Sequence, residues 1–195
     1  MNKILEQFGY QHEKLQFNNK RSCGVWLLII GIVTITAAIT GGKLCINIPV
    51  FILGYMVGIF LCYGNKKIIF NRLSCGGKSK FQENMSNIAF VVLGVMCTIS
   101  GMSSYLTHSM RTTWLLLFLA TGIHFLVFYF VHGKSMVLIC IITCTNAIVG
   151  LLFPQIPFVM IGVIDGLIKA GFGMFLLFFS KVTDDFDAFY TLIQK

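Results

Sequence analysis

Apolar residues run almost without interruption through six stretches, at roughly 23–40, 44–64, 85–105, 113–132, 135–153 and 157–180. Each approaches the ~20 residues that a helix needs to cross the hydrocarbon core of a bilayer. The pattern predicts an all-α, polytopic helical membrane protein with six transmembrane helices over residues 23–180. A polar N-terminal tail, 1–22, precedes them and carries Lys3, Glu6, Glu13, Lys14, Lys20 and Arg21. It is too long and too mixed in charge for a signal peptide, and no clear cleavage site follows, so the first stretch is retained as a helix. After the sixth stretch, Thr183 can N-cap a short helix with Asp184 and Asp185 in its first turn. Val182, Phe186, Phe189, Tyr190 and Ile193 then recur at three- and four-residue spacing. The tail 181–195 is thus expected as a cytoplasmic amphipathic helix at the membrane interface. Its three Asp residues would be repelled by anionic lipid, which makes the basic 65–84 loop the expected docking place.

Composition sharpens the class. Of 195 residues, 56% are hydrophobic and 11% charged, and the mean hydropathy is +0.83. Soluble domains carry about 25% charged residues. A soluble enzyme, a disordered chain and a secreted disulfide scaffold are therefore excluded. Three Pro against nineteen Gly suit helices packed in lipid, where Gly lets backbones approach.

The net charge of +8 does not point to nucleic acid, because the basic residues lie between apolar runs, where they set orientation. Twelve of the fifteen fall on one side of the predicted membrane: four in the N-terminal tail, five in the 65–84 loop, then Lys134, Lys181 and Lys195. Only Lys43 and Arg111 fall on the other. Both termini are expected in the cytoplasm, in the cell membrane of a bacterium (the inner membrane). The lipid bilayer is the expected partner, and a second copy or another membrane protein is also open. Seven cysteines, an odd number with no Cys-x-x-Cys pair, read as small core residues. Cys140 and Cys144 share a helix face but would need ligands from a partner helix, so no metal and no cofactor is expected.

Connections outside the 65–84 loop are short, which makes consecutive helices antiparallel neighbours. Within that loop, Cys75-Gly76-Gly77-Lys78-Ser79 resembles a phosphate-binding loop only superficially, since Arg72 stands where the pattern needs Gly and no strand precedes it. Asn84-Met85-Ser86 fits a glycosylation sequon but falls on the cytoplasmic side. Segments 2 and 6 open alike, Ile48-Pro49 and Ile156-Pro157, and each carries a Gly-x-x-x-Gly, Gly54/Gly58 and Gly162/Gly166. Whether this is a true repeat or shared composition stays open, but either way the glycines are candidate helix-packing positions.

Charges inside an apolar helix are the most informative residues, costing about 2.5–3.5 kcal/mol each if unpaired. Asp165 and Lys169 stand near the middle of segment 6 at the favourable i,i+4 spacing, acid first. His124 lies halfway along segment 4, one turn after Thr121, and Asn146 halfway along segment 5. These four form a candidate midplane polar cluster for proton or ligand handling. The plainer alternative is that Asp165 and Lys169 neutralise each other while Asn146 and His124 act as interhelical hydrogen-bond glue.

Enzyme constellations lack parts, and no catalytic residue is assigned. Gly101-Met102-Ser103-Ser104 loosely resembles an intramembrane serine nucleophile, but His124 is too deep to serve it and His108 sits in a loop. Asp165 is the only intramembrane carboxylate, and no His-Glu-x-x-His is present.

The six-segment order, the Arg21-bearing start of segment 1, and Thr121-Gly122-Ile123-His124-Phe125-Leu126 followed by Lys134 resemble a group of small bacterial membrane proteins of unknown function. The resemblance covers most of the chain, singles out Gly122 and His124, and implies the architecture but no activity. Three functions stay open: a non-catalytic membrane component, a small proton-coupled transporter or channel-like protein, and a membrane-embedded lipid-modifying enzyme.

Overall fold

The computed structural model describes residues 2–11, 15–64 and 69–180. Its helices are α1 (Asn2–Gln7), α2 (Lys20–Ile39), α3 (Ile48–Ile59), α4 (Phe70–Leu73), α5 (Lys80–Thr107), α6 (Met110–Val127), α7 (Tyr129–His132), α8 (Ser135–Leu152) and α9 (Phe158–Phe178). No strand occurs among the described residues. The chain is all-α.

Local chemistry sets the boundaries. Asn47 caps α3 by accepting from the Val50 amide, with Pro49 in the first turn, where its missing N–H costs nothing. Ser109 caps α6 through the Thr112 amide. Before α5, Ser79 and Gln82 form a reciprocal box: the Gln82 amide donates to the Ser79 hydroxyl and the Ser79 amide to the Gln82 side chain. That box starts the helix at Lys80, five residues before the apolar run predicted to begin at 85. Segment 4 is interrupted at Phe128 and ends at Gly133, whose φ of 85° closes α7.

Five helices, α2, α5, α6, α8 and α9, are long and apolar enough to cross a membrane. The remaining predicted segment, 44–64, is shorter. It begins only after a 3-10 turn at Gly42–Leu44, and α3 passes at Phe60–Gly64 into one π-helical turn, giving an apolar helix over Ile48–Gly64.

The largest interface joins the first long helix to the last. Along α2, Gly24, Gly31 and Ala38 recur every seven residues and meet Gly173, Gly166 and Gly162 of α9 in antiparallel order. Both Gly-x-x-x-Gly pairs rest on α2: Gly54 and Gly58 pack on Val33, Ile29 and Trp26, while Gly162 and Gly166 pack on Ala38, Ile35 and Gly31. Neighbouring helices also pair in sequence, α2 with α3, α5 with α6, α6 with α8 and α8 with α9. At Gly122 α6 comes close to α8, against Cys144 and Thr143.

Apolar clusters fill both ends of the bundle. At one end Ala37, Ile46, Trp114, Leu115, Phe118, Ala147 and Ile161 pack together, and at the other Leu27, Phe125, Met136, Ile139 and Leu176. Outward faces of α3 and α5 remain apolar, with Leu53, Met56, Val91 and Ile99 all exposed. Part of the polar N-terminal stretch is folded onto the bundle. Tyr10, Leu15 and Phe17 pack against Phe81, Met85, Tyr129 and Val131. Gln82 secures this strap by donating to the carbonyls of Gln16 and Phe130. The amphipathic tail expected at 181–195 lies outside the described residues.

Candidate functional site: a buried polar cluster

Asp165 and Lys169 occupy successive turns of α9, so a single rotamer choice brings their ends together. Lys169 Nζ lies 2.5 Å from Asp165 Oδ2, with the residues 2% and 0% exposed. The same ammonium donates to Thr121 Oγ1 at 3.5 Å and stands 5.2 Å from the centre of the Phe118 ring. An ammonium over an aromatic face is attracted by the ring quadrupole, more so where water is excluded. Thr121 in turn donates its hydroxyl proton to the Phe118 carbonyl at 2.8 Å. The cation of α9 is thus seated on one turn of α6.

His124 makes its hydrogen bond within its own helix. Its Nδ1 lies 2.5 Å from the Thr121 carbonyl within the same helix. A carbonyl can only accept, so Nδ1 carries the proton. The ring packs between Phe125 and Phe128, at centroid distances of 4.4 and 5.4 Å. His124 joins the cluster through the backbone of Thr121. Asn146 reaches from α8 to α9, its amide donating to the Ile161 carbonyl at 3.0 Å, one turn before Asp165. The four predicted residues therefore gather where α6, α8 and α9 meet, as an ion pair flanked by two separate hydrogen bonds.

Two buried oxygens in this region have no hydrogen-bond partner among the described residues: Asp165 Oδ1 and Thr143 Oγ1.

Sequence reasoning passed over Arg111, counting it only for orientation. Its guanidinium donates to the carbonyls of Gly150, Ile156 and Phe153 at 2.9, 2.8 and 3.4 Å. The last carbonyls of α8 have no partner in their own helix, and Pro154 prevents continuation, so a donor had to come from elsewhere. Being the only arginine on its side of the predicted membrane was the available signal. Thr121 was noticed only as a neighbour of His124, although a hydroxyl one turn earlier suits a lysine better than a ring.

Other sequence candidates disperse. The Ser103 hydroxyl donates to the Ser100 carbonyl inside α5. Among the described residues no group of three or more His, Cys, Asp or Glu converges as a metal site would require.

Fold and site together define an all-helical protein with several helices apolar and long enough to span a membrane, and a buried ion pair among three of them. The family described as "Family of unknown function (DUF6609)" matches residues 10–185, and the chain belongs to it. No curated protein and no solved structure matches the chain.

Proposed function

We propose that this chain is a multi-pass protein of the bacterial inner membrane with six spans, a non-catalytic component in which the Asp165–Lys169 pair of the last span is seated against the fourth through Thr121 and Phe118. Ile48–Gly64 supplies the sixth span. Its 17 residues reach about 26 Å, slightly under the ~30 Å core, a mismatch that a bilayer absorbs by local thinning. Twelve basic residues against two support a cytoplasmic side for both termini and the 65–84 loop.

The observation that carries this reading is the closure of the ion pair: both charges are buried, and Thr121 and Phe118 cover the ammonium. Charges that carry protons or solutes need access to water, whereas a structural pair is closed off from it. A buried pair adds little net stability over an apolar pair of equal volume, yet losing one partner costs about 3–5 kcal/mol.

Asp165→Leu and Lys169→Met each alone should strongly destabilise the protein in micelles, while the double variant should regain most of the loss. Proton and solute flux in vesicles should be the same for wild type and the double variant. A second reading, proton transfer through Asp165, is favoured by the unsatisfied Oδ1. A folded double variant that abolishes a flux seen in wild type would establish that reading instead.

A further inference from the structure

The Asp165 carboxylate has two oxygens, and only one of them is engaged. Oδ2 receives the Lys169 ammonium, while Oδ1 is buried with no hydrogen-bond partner among the described residues. A buried ion pair offsets its desolvation only when its remaining lone pairs are satisfied as well, and an orphaned charged acceptor costs more than a neutral one. Thr143 of α8 carries a second orphan. Its Oγ1 is buried and likewise has no partner among the described residues. A threonine inside a helix can return its hydroxyl proton to the carbonyl four residues earlier, as Thr34, Thr36, Thr98 and Thr113 do in this protein. Thr143 leaves that bond unmade.

The two orphans share one place. Asn146, donating to the Ile161 carbonyl, sets the register between α8 and α9, which run antiparallel. At about 1.5 Å per residue, Thr143 stands ~4.5 Å before Asn146 and Asp165 ~6 Å beyond Ile161, which brings both to nearly the same level. On the third side α6 closes the corner: Gly122 packs against Thr143, and Thr121 beside it accepts from the Lys169 ammonium.

A group lying between these oxygens has to donate to a carboxylate, which only accepts, and to exchange a hydrogen bond with a hydroxyl. It also has to be neutral, because Asp165 and Lys169 already balance each other and a further cation would face the ammonium. Water meets every one of these conditions. Buried waters sit on otherwise unsatisfied polar groups, with about three hydrogen bonds each.

We infer that a single water molecule is bound where α6, α8 and α9 meet, donating to Asp165 Oδ1 and hydrogen-bonded to the Thr143 hydroxyl. The inference deepens the closed-pair reading above and rests on it: one trapped water completes the pair, whereas a file of waters would open it.

The test is a crystal structure of the full chain, grown from a lipidic phase to a resolution that shows ordered water, together with melting temperatures in one detergent. Expected is one isolated density peak within hydrogen-bonding distance of both oxygens, unchanged when potassium replaces sodium in the buffer. Thr143→Val, of nearly equal shape, should lose the peak and lower the melting temperature, while Thr143→Ser should keep the peak. In the Asp165→Leu, Lys169→Met double variant, Thr143→Val should be neutral or stabilising, since no carboxylate is left for the water to serve.

Direct contact between Thr143 Oγ1 and Asp165 Oδ1 with no peak between them would overturn the inference. So would a peak that follows sodium, or a Thr143→Val loss just as large in the double variant. None of these outcomes touches the membrane-component reading, which is decided by flux and by recovery in the double variant. A row of peaks running from Asp165 to either face would overturn both.

Discussion

Gly31 of α2 and Gly166 of α9 face each other across the central seam so closely that neither could carry a side chain as the helices stand. A Cβ on Gly31 would meet the Gly166 carbonyl oxygen at 2.6 Å, and a Cβ on Gly166 would meet the Gly31 carbonyl oxygen at 2.7 Å. Both obstacles are backbone, so relief requires the helices to part.

Gly166→Ala should therefore destabilise the fold by about 1–3 kcal/mol, the usual cost of overpacking. Gly171→Ala, five residues along the same helix and with nothing within 4 Å of its added methyl, should be neutral or stabilising by up to ~1 kcal/mol through helix propensity. Unfolding in micelles with denaturant compares the two. Equal effects would mean that α2 and α9 are not in contact as described.

Arg111→Met should leave the Gly150 and Ile156 carbonyls without the guanidinium donor, while Phe153 keeps the Ile156 amide, at a cost of about 1.5–3 kcal/mol. Arg111→Lys should recover only part, because one ammonium cannot reproduce the spread of the guanidinium fork. Melting temperatures of the two variants, measured in the same detergent, order them.

Gln82 is asked to do two things, capping α5 and holding the N-terminal strap. Gln82→Leu should raise hydrogen exchange at residues 15–19 well before global unfolding, because the strap then keeps only its apolar contacts. Exchange unchanged there would assign the strap entirely to Leu15 and Phe17.

Topology has a direct chemical readout. Cys75 is exposed in the 65–84 loop. In a variant keeping Cys75 alone, a membrane-impermeant maleimide should label inside-out vesicles and spare right-side-out ones. Keeping Cys45 alone, near the opposite end, should reverse the preference.

Hydropathy made the long apolar helices legible because in such a chain the apolar runs and the helices coincide. It overextended segment 2, where the 3-10 turn and the positive φ of Cys45 delay the helix to Ile48. Composition hid the N-terminal strap, since Tyr10, Leu15 and Phe17 are scattered among charges and make no run. The charged pair in segment 6 was readable from i,i+4 spacing alone. Its partner on α6 was not, because Thr121 and His124 share a face and only the packing of His124 between Phe125 and Phe128 decides which one meets Lys169. The α2–α9 seam was beyond reach for a further reason: spacing describes a helix to itself, and the distance along the chain to its partner leaves no mark on its period.

That seam bears on how the molecule comes to exist. A ribosome delivers α2 well before α9, so the largest interface among the described helices cannot begin to form until residues 40–157 have been made. Until then α2 leans on α3 and α4, its row of glycines a docking strip with nothing docked. The arrival of α9 fills the seam, brings Ser180 to the space that Lys20 also lines, and carries both central charges in with it. A nascent chain stopped before residue 158 would hold every other described helix and still lack the one that α2 packs against most extensively.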